Sequence, residues 1–393
     1  MATETKTTES NADVFIEAAR RIAPRARALS AQIERDGRLP IDLVDEIKEA
    51  GLFHLLLPRE YGGHGVDPVN ASRVVEVLAA ADGSTGWVVM LSAQSCSFAG
   101  LLPPEHAKAI WGSGGIVAGT ANPVGRAVWT ETPEPGYVVT GRWGFASGSS
   151  HATWFTGECV VYDGDQPRKD AQGNDVTRAI FVPRDEKVKV YETWNVTGLR
   201  GTASNDFTIE GAFVPAGRGF QMLVTPPVHP WAVYRALPLL FINHGAHALG
   251  VARGAIESAI EVARKKRGWG GVPMTELPRI QMAVAQATAL VDSAAEYMYG
   301  TATRLWQDIL AGNDDPDLRA RTRLATSNAA TMAVQAVDTL HNALGTAAIM
   351  ADNPIERQFR DIHTASKHVM IGHMTYEAAG RVLLGMEPQF PFF

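Results

Sequence analysis

The amino-acid sequence predicts a mainly α-helical protein with a β insert in the middle of the chain. Apolar residues recur at helical spacing before residue 112 or so and again after about residue 235. Between about 115 and 220, short segments rich in β-branched and aromatic residues alternate with Gly, Pro and Asp clusters, which is typical of strands joined by turns. We therefore expect three domains, an N-terminal helical domain (1–114), a central β-barrel domain (115–225) and a C-terminal four-helix bundle (226–393).

The N-terminal domain is predicted from amphipathic segments. ADVFIEAARRIAPRARAL and PIDLVDEIKEAGLFHLL carry apolar residues at helical spacing, and Pro40 suits the first turn of a helix. GGHGVDP (62–68) predicts a loop, after which the helical pattern resumes with an interruption at Gly83–Gly86. The first ten residues, MATETKTTES, are polar, and we expect them to be disordered.

The central segment predicts about seven strands that form a small barrel or sandwich. The strand candidates are IVAGTA, AVWTETP, GYVVTGRW, TWFTGECVVYD, AIFVPR, VKVYETW and DFTIEGAFVP.

The C-terminal segment predicts four long amphipathic helices, separated by GWGGVP, AGNDDPD and TAAIMADNP. Their predicted spans are 238–267, 277–312, 316–346 and 353–382.

Composition excludes several classes of function. The net charge is −6 and no basic block occurs, so the electrostatic footprint of a nucleic-acid binder is missing. The N-terminus lacks the apolar core of a signal peptide, and the longest apolar runs fall short of the roughly 20 residues of a membrane span. With only two cysteines, Cys96 and Cys159, we expect a cytoplasmic protein with reduced thiols. Neither a GxGxxG nor a P-loop motif is present.

Three histidines near the C-terminus, His363, His368 and His373, follow each other at steps of five. On one α-helix each step turns about 140° away from the starting face, so neighbours do not line up. Helical metal sites use i, i+3 or i, i+4 spacing, and no CxxC or HExxH accompanies these residues, so we expect no metal site. At most one or two of them can face a single pocket.

Six local signatures, in this domain order, resemble the acyl-CoA dehydrogenase superfamily over nearly the whole chain. They are GLFHLLLPREYGGHGVDP (51–68), AGTANPVG (118–125), GRWGFASG (141–148), WNVTGLRGTASNDFTIEGAFVP (194–215), KKRGWG (265–270) and NPIERQFRD (353–361). The resemblance implies a flavin between the β domain and the bundle. It also implies that a neighbouring subunit holds part of the flavin phosphates, and hence a homo-oligomer, a tetramer rather than a dimer.

One position separates two chemistries within this superfamily. Dehydrogenases need a carboxylate that takes the α-proton of a thioester, commonly about eight residues after the RD pair. Here that count reaches His368–Val369, and the nearest carboxylate, Glu377, is out of register. A second location for the base, in LLFINHGAHALG (239–250), has no carboxylate before Glu257.

The chain is instead similar to the flavin-dependent monooxygenases on this fold, such as the oxygenase component of p-hydroxyphenylacetate hydroxylase. The matching motifs are GSTGW (83–87), WGFASG (143–148), GLRGTAS (198–204) and RDIHTASKH (360–368). The resemblance implies that a separate NAD(P)H-dependent reductase supplies reduced FMN or FAD. It also implies that O2 then forms a C4a-hydroperoxide, which hydroxylates, or oxygenates at N or S, a small organic substrate. An acyl-CoA dehydrogenase or flavin oxidase with an unrecognised base, and a flavin-free scaffold protein, remain as alternatives.

The resemblance also assigns site residues. It places the Ser147 hydroxyl beside C4a and N5 of the flavin, and makes His368 the active-site histidine that accepts a substrate proton or donates to the peroxide. Trp87 and Phe145 occupy aromatic positions near the flavin ring, where aromatic side chains exclude water.

Further cofactor contacts are implied at Thr120 and Asn122, on the strand along the flavin edge, and at Arg200, for a phosphate. Lys266 and Arg267 are candidates for phosphate contact across a subunit interface. For each of these residues an ordinary structural role, in a turn, the core, a salt bridge or an exposed face, is the alternative.

One departure concerns the substrate. Aromatic hydroxylases of this type have a second histidine after GSTGW, whereas this chain has Gln94 or Ser95 there. The resemblance therefore favours a substrate that needs less deprotonation, such as an amine, a sulfur compound or an acidic phenol.

Overall fold

The N-terminal part of the chain is helical, as predicted. The computed structural model describes residues 5–393, so the part of the predicted disorder that falls on residues 1–4 lies outside the described residues, while the first helix begins at Thr5. The helices of this part are α1 (Thr5–Asp36), α2 (Ile41–Glu49), α3 (Pro68–Ala81), α4 (Gly83–Ser95) and α5 (Pro104–Trp111).

The predicted interruption near Gly83 is the junction of α3 and α4. Asp82 leaves the helical conformation there and caps α4, because its carboxylate accepts hydrogen bonds from the backbone N–H and the hydroxyl of Thr85, each at 2.7 Å. A Cβ on Gly86 would lie 2.6 Å from the Ala79 side chain, so only glycine allows α4 to approach α3 this closely. This junction sets the direction of α4, which carries Trp87.

The central part is one mixed sheet of eight strands within the described residues. The strands are β1 (Val117–Thr130), β2 (Gly136–Ala146), β3 (Trp154–Asp163), β4 (Gln166–Pro167), β5 (Thr177–Pro183), β6 (Val188–Tyr191), β7 (Asn205–Pro215) and β8 (Gly219–Phe220). The order across the sheet is β6-β7-β2-β1-β3-β5-β8, with β4 paired to β3. All pairs are antiparallel except β1 with β3.

The sheet differs from the prediction in two details. The first two predicted strands, IVAGTA and AVWTETP, form a single strand, β1, with a register shift between Thr120 and Gly125. The hydrogen-bonded ladder of the described strands runs from β6 to β8 without pairing these two, so the predicted barrel or sandwich is a single sheet with two edges.

The C-terminal part is a helical bundle whose fourth member is broken. Its helices are α6 (Ile242–Lys265), α7 (Pro278–Leu310), α8 (Pro316–Leu344), α9 (Pro354–Ala365) and α10 (His373–Leu383). The prediction of one helix over 353–382 is wrong in this respect. A short 3-10 turn, Val369–Ile371, separates α9 from α10, and Gly372 with extended backbone (φ −80°, ψ −176°) lies between that turn and α10.

The helical parts pack directly on each other through α3 and α6. Gly250 and Gly254 allow this contact, since a Cβ on them would lie 2.4 Å from the Glu76 carbonyl oxygen and 2.3 Å from that of Ala80. The fold class predicted from the sequence is thus confirmed. The predicted domain boundaries at 114/115 and 225/226 remain a prediction, and they fall between α5 and β1 and between β8 and α6.

None of the helices in the described residues is both long enough and apolar enough to cross a membrane.

Candidate active site

Ser147 lies where the sheet, the N-terminal helices and the bundle meet. It follows the end of β2 and is half-buried. Its Oγ accepts a hydrogen bond from Trp87 Nε1 on α4 at 3.2 Å and contacts Ser204 Oγ at 2.7 Å. Ser204 Oγ in turn contacts Thr202 Oγ1 at 2.7 Å, and Thr202 Oγ1 donates to the Leu199 carbonyl at 2.9 Å. We call this series, from Trp87 to Leu199, the Ser147 chain.

The two ends of the Ser147 chain determine its direction. The indole N–H of Trp87 can only donate, and the carbonyl of Leu199 can only accept. Since Thr202 gives its single hydroxyl proton to Leu199, Ser204 must donate to Thr202, and Ser147 must therefore donate to Ser204. The Ser147 hydroxyl thus has no proton left, and it faces any further ligand with an acceptor lone pair.

The GLRGTAS loop that supplies Leu199, Thr202 and Ser204 is held by α9. The backbone N–H of Leu199 donates to Asp361 Oδ1 at 2.6 Å, and Leu199 adopts a left-handed conformation (φ 53°). A Cβ on Gly198 would lie 2.1 Å from the Arg360 carbonyl oxygen. The RD pair of the sequence therefore serves to position this loop, and with it the Ser147 chain.

Three imidazoles surround the Trp87 ring. The ring centroids of His244, His247 and His368 lie 5.8, 5.1 and 5.6 Å from that of Trp87, each edge to face. His244 and His368 are close neighbours, with centroids 4.3 Å apart. His368 thus lies beside Trp87, and its catalytic role stays a prediction, whereas the sequence reasoning missed His244 and His247. Their i, i+3 spacing on α6, which places both on one helix face, was the signal that could have identified them.

Burial makes these imidazoles neutral at pH 7. It lowers the pKa of His247 and of His368 to about 4, and it holds the pKa of His244 well below its usual value. The charge of Arg323 adds to the effect at His244 and His368. His368 Nδ1 accepts a long hydrogen bond (3.4 Å) from the Met370 backbone N–H, so its proton resides on Nε2, which can donate. At His244 the roles are reversed, because Nδ1 contacts Asn243 Oδ1 at 2.8 Å and no residue in the described range 5–393 is a partner of Nε2.

The other two histidines of the C-terminal series lie elsewhere. His363 Nε2 contacts Asp338 Oδ1 at 2.8 Å, and His373 is exposed at the start of α10. The predicted reason, rotation around one continuous helix, is wrong, because His363, His368 and His373 belong to α9, to the connecting turn and to α10. Across the described residues no group of three His, Cys, Asp or Glu side chains could hold a metal ion.

Phe145, two residues before Ser147, is an exposed aromatic side chain. It sits in a bulge of β2, where the pairing with β7 shifts between Trp143 and Ala146, and it adopts a left-handed conformation (φ 62°). Its side chain is 71% exposed, and its ring meets that of Trp194 edge to face, with the centroids 5.9 Å apart. A strained backbone that exposes a large aromatic side chain indicates a binding surface rather than a packing residue.

Thr120 and Asn122 lie on the outer part of β1, beside the register shift that precedes Gly125. Thr120 is half-buried and Asn122 is exposed. Their side-chain groups are thus accessible along the same sheet that carries Phe145.

The residues predicted to bind flavin phosphates, Arg200, Lys266 and Arg267, are exposed. Arg200 lies in the GLRGTAS loop, next to the Ser147 chain. Arg267 follows the C-terminal end of α6, and its Nη1 donates to the Gly271 carbonyl at 2.7 Å. Because 21 residues of helix separate Lys265 from His244 near the other end of α6, Arg267 lies about 30 Å from the imidazoles of its own chain. The structure therefore does not bring Arg267, or its neighbour Lys266, to the Ser147 chain of the same subunit.

The surroundings of Ser147 fit a flavin ring. Ser147, whose hydroxyl has a spare acceptor lone pair, lies two residues after the exposed aromatic side chain of Phe145. Its hydrogen-bond partner Trp87 is bordered by two neutral imidazoles, His244 and His368. The carboxylates considered for a dehydrogenase do not take part. Glu377 is exposed on α10, and the exposed Glu257 forms an ion pair with Arg27. Ser95 at the position of the missing second histidine donates to the Ser92 carbonyl, and Gln94 is half-buried.

Comparison with known proteins matches both helical parts to acyl-CoA dehydrogenase family models. The family model described as acyl-CoA dehydrogenase, N-terminal domain, matches residues 9–102, and that described as acyl-CoA dehydrogenase, C-terminal domain, matches residues 242–373. The chain is 29% identical over 369 residues to an indole-3-acetate monooxygenase of Acinetobacter baumannii, covering 93% of this chain and 92% of the relative.

Two further similar proteins are also named as hydroxylases. The chain is 27% identical to the oxygenase component of an FADH2-dependent resorcinol hydroxylase of Rhizobium sp., covering 94% and 93% of the two proteins. The crystal structure of a 3-HSA hydroxylase from Rhodococcus sp. superimposes with a TM-score of 0.87 at 25% identity, over 96% of this chain and 99% of that one.

Proposed function

The chain belongs to the acyl-CoA dehydrogenase superfamily, and we propose that within it the protein is the oxygenase component of a two-component flavin-dependent monooxygenase. When bound, reduced FMN or FAD supplies two electrons to O2. One oxygen atom then enters the product and the other leaves as water. A separate NAD(P)H-dependent reductase provides the reduced flavin, since the chain has no dinucleotide motif.

The observation that carries the proposal is the direction of the Ser147 chain. Its order leaves Ser147 Oγ as an acceptor, which matches an N–H donor. Reduced flavin has such a donor at N5, whereas oxidised flavin has a lone pair there. The site therefore favours the reduced cofactor, as an enzyme that receives its flavin from a reductase requires.

The lack of a carboxylate at either base position of the dehydrogenases, 368–369 and 239–250, supports an oxygenase over a dehydrogenase. Removal of an α-proton needs a carboxylate that faces the flavin. Glu377 and Glu257 are exposed, and the groups that surround Trp87 are neutral imidazoles. Neutral groups also suit an oxygenase, because a site without water and without mobile protons limits the loss of activated oxygen as H2O2.

The side chains act as follows. Ser147 accepts from the flavin N–H, and Trp87, fixed by its own hydrogen bond to Ser147, covers this hydroxyl and excludes water. His368 donates from Nε2 to a reacting oxygen, and His244 Nε2 accepts a proton or a hydrogen bond from the substrate. Phe145 packs on the flavin ring, and Thr120 and Asn122 contact its polar edge. His244 in this way replaces the acceptor that is missing at Gln94 and Ser95.

The phosphate contacts are part of the same proposal. Arg200 binds a flavin phosphate beside the GLRGTAS loop, and Arg267 does so from a neighbouring subunit, since within its own chain it is about 30 Å from His244. The active form is therefore a homo-oligomer, and we favour a tetramer.

The substrate is a small aromatic compound. The relatives are named for indole-3-acetate and for resorcinol, both of which are aromatic.

The decisive experiment combines the protein with NADH, a flavin reductase, FMN or FAD, and aromatic candidates that include indole-3-acetate and resorcinol. We expect product that carries one atom of isotopically labelled O2, formed only when the oxygenase is present, with little H2O2. Stoichiometric binding of oxidised FAD that is bleached by an acyl-CoA would instead restore the dehydrogenase.

A further inference from the structure

Helix α8 buries a cation that has no counter-ion. Arg323 is fully excluded from solvent (0% exposed), and among the described residues it forms no ion pair. Within the part of the chain that the structure describes, its Nε and Nη1 have no hydrogen-bond partner, and Nη2 has only a 3.9 Å contact with Met370 Sδ. Burial of an unpaired charge is strongly destabilising, so the protein retains this arginine at a cost that the fold alone does not explain.

Arg323 adjoins the imidazoles of the candidate site. Its guanidinium lies over the ring of Phe241, 4.8 Å from the centroid, and the Phe241 ring is 6.3 Å from that of His244. Met370 belongs to the turn that begins after His368. The positive charge also contributes to the low pKa of both His244 and His368, as a nearby cation must.

A second polar group without a partner accompanies the guanidinium. Ser327 is four residues after Arg323 on α8, so the two side chains share a helix face. Ser327 is fully buried, and its Oγ has no hydrogen-bond partner among the described residues. Buried polar atoms are nearly always satisfied, so several unsatisfied groups on one face point to a ligand that supplies the missing acceptor.

Interactions within the chain do not neutralise Arg323. Burial alone lowers the pKa of Arg323, to about 9, and no carboxylate acts in the opposite direction. The group is therefore charged at pH 7 and needs an oxyanion. The contact with Phe241 offsets part of the cost through the ring quadrupole, but it does not supply the negative charge.

We propose that Arg323, assisted by Ser327, binds an oxyanion of the substrate, so that the enzyme acts on a small organic acid whose carboxylate or ionised phenol faces α8. This inference rests on the proposed function for the identity of the site as a substrate site. Arg323 selects the substrate and orients it, with the remainder of the molecule directed toward His244 and His368.

The first test needs neither flavin nor turnover. Thermal unfolding of the wild-type protein is measured at constant ionic strength with acetate, benzoate, 4-nitrophenolate or the neutral benzamide. We expect at least one of the anions to raise the unfolding temperature and benzamide to leave it unchanged. Stabilisation by carboxylates alone, or by 4-nitrophenolate alone, identifies the kind of oxyanion. If none of the three anions stabilises the protein, the proposal is wrong.

Arg323→Met is the informative variant, because methionine fills a similar apolar volume without charge. Without ligand it should unfold at a higher temperature than the wild type, by about 2 °C or more, and it should not respond to the anions. Arg321→Met is the matched control on the same helix, since Arg321 is exposed and pairs with Asp317. It should behave like the wild type. A lower unfolding temperature of the ligand-free Arg323→Met protein, or an undiminished response to anions, would overturn the proposal.

Turnover provides the second test. For an acidic substrate, Arg323→Met should raise KM by a factor on the order of 10², and Arg323→Lys should recover part of the loss. Where carboxylates stabilise the wild type, an equal kcat/KM for a carboxylate and its amide would contradict the inference. If labelled oxygen is not incorporated but anions still stabilise the wild type through Arg323, the binding site stands and the oxygenase assignment falls. If oxygenation occurs but anions do not stabilise the wild type, the oxygenase assignment stands and the proposed anion site at Arg323 is wrong.

Discussion

Replacing Ser147 by alanine removes the hydroxyl that links Trp87 to Ser204. In the wild type this hydroxyl accepts from Trp87 Nε1 at 3.2 Å and donates to Ser204 at 2.7 Å, which leaves an acceptor lone pair for the flavin. The variant should therefore bind reduced flavin less tightly and oxidised flavin with unchanged affinity.

The size of the effect follows from one neutral hydrogen bond, which contributes about 0.5–1.5 kcal/mol. The preference of the protein for reduced over oxidised flavin should accordingly fall about 2- to 10-fold. For a two-electron couple this lowers the potential of the bound flavin by up to about 30 mV. The buried Trp87 N–H also loses its acceptor, so we expect the free energy of unfolding to drop by about 1–3 kcal/mol.

Ser204→Ala is the sharper comparison, because it keeps the Ser147 hydroxyl and frees its proton, at the loss of the hydrogen bond between Ser204 and Thr202. Without Ser204 as acceptor, Ser147 has a proton to offer to the N5 lone pair of oxidised flavin, while it still accepts from Trp87. Oxidised flavin should then bind more tightly, and the affinity for reduced flavin should be unchanged.

Anaerobic titration of each protein with reduced flavin, and aerobic titration with oxidised flavin, measures both dissociation constants. If Ser147→Ala weakens both redox states equally, the serine acts by packing alone. If Ser204→Ala leaves the affinity for oxidised flavin unchanged, the derived direction of the chain is incorrect.

Two further predictions concern the imidazoles. His368→Ala should reduce the product formed per O2 consumed by about 10²-fold or more. His368→Gln keeps an N–H donor and should recover most of this loss, because a pKa of about 4 makes His368 a weak base at pH 7. His363→Gln is the control, and equal losses in the His368→Gln and His368→Ala variants would show that the imidazole is needed as a base. The free energy of unfolding should fall as the pH drops from about 6.5 to about 4, by about 1.4 kcal/mol per pH unit for each of His247 and His368. In this pH range the two imidazoles are protonated in the unfolded chain and stay neutral in the folded protein. His247→Gln keeps the donor to the Gly83 carbonyl and should remove one such contribution in denaturant titrations between these pH values, so an unchanged slope would show that His247 is not responsible.

The type of most elements could be predicted because it depends on local pattern. Helical periodicity and strand composition repeat over a few residues, so the helical, β and helical parts followed from the sequence. The predicted strands over 117–130 merged, and the predicted last helix broke at residues 366–372, because long-range contacts decide such boundaries. The parallel partner β3 continues past the bulge of β1, and His368 caps the turn that separates α9 from α10.

Of the candidate site, the motifs located Trp87, Ser147 and His368, which the structure places together. The roles of these residues depend on partners distant in the chain. Ser204, which receives the Ser147 proton, is 57 residues away, and Leu199 is held by Asp361, 162 residues away. In the sequence, His244 and His247 are marked only by their i, i+3 spacing, and Arg323 by no motif. Burial in the folded protein is what reveals two neutral imidazoles and an unpaired cation. The sequence by itself thus determined the order of helical and β parts and the family, because local periodicity and short motifs encode them. The tertiary structure alone decided the direction of the hydrogen bonds and the state of charge in the site, because desolvation and proton sharing depend on residues that only folding brings together.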